Sequence, residues 1–212
     1  MRKKFKKNFN QKQDTKSFEK MAILISILAL IISIFAFFTD SQTLRLAFSQ
    51  DNERKTPVWV GKYNIENEEI VFESTNPEII LQMANIYFPS KFNLPKGYVS
   101  PGNHAYPTSI LKTELIEYVR EGYEVSEDSN QVAYEIIPVI ITSNYVAQGN
   151  LFNHQAIYHI HYIATIPGDG SEPIIDIDGL TFDSHVDMKF DPSIKVDEHW
   201  DFLVDSDEFL AR

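Results

Sequence analysis

The run Met21–Phe38, MAILISILALIISIFAFF, is eighteen apolar or small residues without a charge. As a helix it rises roughly 27 Å, close to the hydrocarbon thickness of a bilayer, about 30 Å. Its only hydroxyls, Ser26 and Ser33, can bond back to helix carbonyls. A buried helix of a globular core rarely lies between a basic tail and a polar segment, as this one does. The run therefore predicts a single transmembrane helix.

A cleavable signal peptide is the alternative. Such peptides usually have a shorter apolar region and small residues at the cut. Here Ala36-Phe37-Phe38 places a bulky residue where a small one is wanted, and Thr39-Asp40-Ser41 is a poorer fallback site. A lipoprotein needs a cysteine to acylate, and the chain has none. A pilin-type processing site fits badly, because Ser17-Phe18 precedes Glu19 at the wrong spacing. An uncleaved signal anchor is the expectation.

Lysine and arginine give the orientation. Residues 1–20 carry eight of them, and the first twenty residues after the run carry three, Arg45, Arg54 and Lys55. The positive-inside bias then keeps the N-terminus in the cytoplasm and places the rest outside the inner (cytoplasmic) membrane, in the cell envelope. Four segments follow: a basic cytoplasmic tail 1–20, a span 21–38, a juxtamembrane linker 39–56 with at most a turn or two of helix, and an extracytoplasmic domain 57–212. Residues 41–212 hold 11 basic and 27 acidic side chains, a net charge of −16. A domain so acidic repels nucleic acid, so no DNA or RNA partner is expected. The absence of cysteine excludes disulfides and thiolate zinc sites.

Within the span the small residues Ala22, Ser26, Ala29, Ser33 and Ala36 repeat at intervals of 4, 3, 4 and 3. They share one heptad seam, where two helix backbones can approach closely. Membrane-helix packing, with a homo-oligomer as its product, is the expectation for that seam.

Beyond Pro57 the periodicity is mostly two, the signature of strands. The stretch Leu180–Asp191 alternates throughout and reads as one strand, with Thr181, Asp183, His185 and Asp187 on its polar face. Residues 156–166 read as another, and 131–145 as a strand covered on both faces, with Pro138 at a bulge or an edge. The loop 146–154 joins these two as a hairpin, and 58–65, 68–75 and 78–88 supply three more strands. One short amphipathic helix begins near Ser109, buries Leu111, Leu115, Tyr118 and Val119, and closes at Gly122. The whole predicts a mainly-β, β-sandwich-like domain.

His159-x-His161 is the one constellation with chemical potential, because alternate strand positions project to the same side. If Asp183, His185 and Asp187 lay on a neighbouring strand, the set would suit zinc or manganese. The plainer reading is a solvated or packing face without a cofactor. Asp176-x-Asp178-Gly179 resembles part of a calcium loop, but Ile174 and His185 would occupy its first and twelfth positions, so the EF-hand pattern fails and calcium is left as an alternative ion only for the acidic surface. Three functions compete. The leading one is a non-enzymatic module that binds another envelope component, most naturally a protein. The second is a metal-dependent enzyme or metal sensor using His159, His161 and His185. The third is a glycan-binding module displaying Trp59 and Trp200.

Overall fold

The computed structural model describes residues 3–123 and 129–206, with side chains described for 20–47, 55–123 and 129–206. The chain divides into two units, residues 1–54 and 55–212. The first is a helix, α1 (Lys3–Lys55). The basic tail belongs to this helix from Lys3 onward, while Met1 and Arg2 lie outside the described residues. The segment expected to be a linker is also helical, as far as Lys55. Thr39 and Thr43 lie in that continuation, and their hydroxyls donate to the carbonyls of Phe35 and Thr39 at 2.9 Å each. Side-chain groups satisfied within the turn leave the helix no local reason to stop.

Within α1, Lys20–Ala47 is long and apolar enough to cross a membrane, and none of it is buried. Ser26 and Ser33 donate to the carbonyls of Ala22 and Ala29 at 2.9 and 2.8 Å, which hides their polarity. The five small residues fall within an arc of roughly 80° at 3.6 residues per turn, and all are exposed.

The second unit is one antiparallel sheet. Its strands are β1 (Trp59–Asn64), β2 (Glu69–Ser74), β3 (Ile79–Tyr87), β4 (Gly97–Val99), β5 (Ala105–Pro107), β6 (Gln131–Ala147), β7 (Asn150–Ile166) and β8 (Ile174–His185). Their spatial order is β4-β3-β6-β7-β8-β1-β2-β5. The two end strands, β4 and β5, are joined by the turn 100–104, where Ser100 N–H donates to the Ala105 carbonyl at 3.0 Å. The sheet is therefore a nearly closed barrel. The expected sandwich is corrected on this point, because alternation alone does not distinguish two stacked sheets from one that curls. The long β6–β7 hairpin supports the curl. It turns on Gln148-Gly149, both at positive φ (50° and 76°), so the expected loop of nine residues is mostly strand. Pro138 sits where β6 has run past the end of β3, whose last residue Tyr87 lies opposite Ile140. On that side no strand needs its missing N–H.

The inner face is filled by the apolar members of each strand and by α2 (Ser109–Gly122), whose Leu111, Leu115 and Val119 are fully buried in the same core. Trp59 and Trp200 are 1% and 5% exposed, so neither offers a platform for a sugar. The Trp59 indole N–H instead donates to Ser143 Oγ at 3.1 Å inside the core.

A further helix, α3 (Pro192–Asp205), follows the turn that replaces the last part of the strand expected to reach Asp191. β8 stops at His185. Val186 N–H then donates to the Gln155 carbonyl, and the Asp187 carboxylate accepts the Lys189 N–H at 3.0 Å, closing a turn. Asp191 caps α3 by accepting the Ser193 N–H at 2.9 Å, with Pro192 in the first turn. The helix lies against the outside of the barrel, where Val196 packs with Ile140 and Ile157 in a small second core. Asp197 holds it to the 3₁₀ turn Ser90–Phe92 by accepting the Ser90 N–H at 2.7 Å.

Candidate metal centre

Residues opposite one another in a ladder share a face, so the register of β7 on β8 assigns each polar side chain to the inside or the outside. Tyr158 and Ile160, both fully buried, face Phe182 and Leu180 inside; His159 faces Thr181 outside. The next pair is Ile157 with Ser184, so Asp183 is an extra residue in a β-bulge. A bulge resets alternation. Beyond it His185 lies opposite the buried Ala156, on the inner side, while Asp183 stays with His159 on the outer side. A second bulge leaves Asp178 unpaired between Ile177 and Gly179. Gly179 is required there: its φ is +156°, and a Cβ would stand 2.9 Å from the Gly61 carbonyl oxygen.

The outer grouping has three members. His159 from β7, Asp183 from the bulge and His199 from α3 bring their ligand atoms within 4.8 Å of one another. The two Nε2 atoms are 3.2 Å apart, and the imidazole planes are inclined by only 18°. His159 and His199 are half-buried and Asp183 is exposed. One carboxylate oxygen of Asp183, Oδ2, accepts the Ser184 hydroxyl at 2.7 Å. Helix α3 positions His199 because Val196, one turn earlier on the same side, is seated on Ile157, two residues before His159 on the strand's outer face.

The other residues singled out from the sequence lie elsewhere. His161 is on the same face as His159 but is engaged with Thr181, Nε2 to Oγ1 at 2.7 Å. His185 pairs with His154, Nε2 of His154 lying 2.8 Å from Nδ1 of His185. Asp187, beyond the strand end, holds Lys189 at 3.5 Å. The expected five-residue set is thus divided: His159 and Asp183 come together, and His161, His185 and Asp187 do not join them. Asp176 and Asp178 stand exposed along β8. Among the described residues the trio of His159, Asp183 and His199 is the one group of three or more histidine or acidic side chains gathered so closely. His199 was missed because its helix was missed.

The inner histidine pair differs electrostatically. Burial, and secondarily the charge of His185, pulls the His154 pKa from 6.5 down to about 4. Its Nδ1 is buried with no hydrogen-bond partner. A separate cleft at the end of α2, lined by Val119, Tyr123, Ile166 and Pro173, is bordered by the Arg120–Glu172 ion pair at 3.0 Å and contains no histidine.

Comparison with protein-family models, with curated proteins and with solved structures found no match to the chain.

Proposed function

We propose that the chain is a single-pass protein of the cytoplasmic membrane. In this reading the N-terminus is cytoplasmic, and the acidic β-domain is a non-enzymatic docking module for another protein of the cell envelope. The observation that carries it is the unburied apolar segment of α1, a surface that water does not tolerate and a bilayer does. Orientation rests on the eight-to-three asymmetry of lysine and arginine. Docking is supported by the apolar side chains that α3 and the turn before it leave exposed, Met188, Phe190, Ile194 and Phe202. Exposed apolar side chains mark a protein contact where they form a continuous patch, and these four come from one short stretch of chain. With a net charge of −16 around it, the favoured partner surface is basic.

Single cysteines at Asn10 and at the exposed Glu66, introduced one at a time into the cysteine-free chain, test the topology. An impermeant thiol reagent applied outside the cytoplasmic membrane should label Glu66→Cys and leave Asn10→Cys unlabelled. Labelling at Asn10 would invert the orientation. An intact mass lacking residues 1–38 would replace the anchor by a cleaved signal sequence.

A further inference from the structure

We propose that His159, Asp183 and His199 bind one divalent ion of the zinc class, and that this ion fastens α3 to the outer face of β7 and β8. Two imidazole nitrogens on one tetrahedral zinc, each about 2.0–2.1 Å from the metal, stand about 3.3 Å apart. The two Nε2 atoms here are 3.2 Å apart. The third ligand is already within 4.8 Å of both, and its exposed side chain closes the remaining distance by rotation.

The three groups come from elements that are fixed for independent reasons. His159 is held by the ladder between β6 and β8, Asp183 by its bulge, and His199 by the seating of Val196 on Ile140 and Ile157. A site assembled this way has both imidazoles in place before the ion arrives, so binding requires only rotation of the Asp183 side chain. The Ser184 hydroxyl on Asp183 Oδ2 is the kind of outer support that orients a ligating carboxylate and leaves its other oxygen for a metal. Two imidazoles and one carboxylate favour zinc and its transition-metal neighbours over calcium or magnesium, which select oxygen. Three protein ligands leave a fourth position for water, as in zinc sites that take up an exchangeable ligand. The inner pair, His154 with His185, brings no acidic side chain into such a group and serves as the built-in control.

The test uses the full chain in detergent, stripped with a chelator and then titrated with Co²⁺ followed by Zn²⁺. A tetrahedral cobalt site is expected to give intense visible absorption that saturates at one ion per chain and is abolished by one equivalent of zinc. His199→Ala and Asp183→Asn should each weaken cobalt binding at least about a hundredfold. His185→Ala should leave it unchanged. Absence of the absorption in folded parent protein would overturn the proposal, as would its survival in Asp183→Asn. Asp183 is exposed, so that variant decides the matter even if His199→Ala loosens α3. The outcome is independent of the membrane topology, because every ligand belongs to the β unit.

Discussion

β7 carries two histidines that each meet a second histidine, and the two meetings differ in kind. His154 meets His185 on the inner side of the barrel, with ring centroids 4.9 Å apart and planes at 76°. His159 meets His199 on the outer side, with centroids 5.5 Å apart and planes at 18°. The inner pair is made by two strands and has no gathered carboxylate; the outer pair needs a helix and includes Asp183. A single inserted residue separates them. Asp183 in its bulge moves His185 to one face and stays on the other. The same residue type therefore gives a half-buried, acid-sensitive group in one place and a three-point ligand set in the other.

The largest expected effect falls on the inner pair. An unfolded chain binds a proton at His154 with the ordinary pKa of 6.5, and the folded chain does not until about 4. The unfolded state thus binds more protons in that window, and stability falls as pH falls. The contribution of His154 is complete above 6.5, declines between 6.5 and about 4, and levels off below; partial exposure limits the loss to at most about 3 kcal/mol. Urea unfolding of the full chain in detergent, followed by tryptophan fluorescence, measures it, since Trp59 and Trp200 both report the β unit. His154→Gln should flatten this part of the pH dependence. A parent and variant with parallel pH profiles would show that the inner pair is not the acid-sensitive one.

The next effect concerns what the outer pair depends on. Val196→Ala removes two methyl groups from the fully buried contact with Ile140 and Ile157, for a loss of about 1–2.5 kcal/mol. The same variant should weaken zinc-class metal binding, because His199 rides on the helix that Val196 seats. It should leave the acid-dependent loss due to His154 intact, because that pair is held by the sheet. Equal changes in both readouts would mean that the two pairs are not independently supported.

How far all this was legible in the sequence follows from the same bulges. Alternation located six strands, the β6–β7 hairpin and the stripe of α2, because each involves local spacing only. It failed at Leu180–Asp191, where the letters alternate to the end but the chain does not. Asp183 adds a residue, His185 changes sides, and the Asp187 turn ends the strand. That false strand took in the capping residue Asp191, and α3 beyond it went unread. The cap at Asp191, Pro192 after it, and the spacing of Val196, Trp200 and Leu203 were all present as helix signals. The three-residue β4 and β5 carry too few positions to show a period, so closure of the sheet was not readable. Nor was the trio, since its members come from three elements and only folding makes them neighbours.

The smallest expected effect belongs to His161, the residue that sequence spacing placed beside His159 as a partner. The two do share a face, but His161 points its Nε2 at Thr181 Oγ1, 2.7 Å away, and stands opposite Gly179, a residue with no side chain to share a ligand. Its hydrogen bond is solvent-accessible, so water replaces it when it is removed. His161→Ala should therefore change stability by less than about 1 kcal/mol. It should also leave the cobalt absorption and its one-to-one end point in place. The comparison with His199→Ala is the informative one: His199 is far from His159 in sequence and adjacent in space, and His161 is the reverse. Loss of the cobalt signal in His161→Ala, with the fold intact, would return this histidine to the ligand set and show that α3 is not the element that completes it.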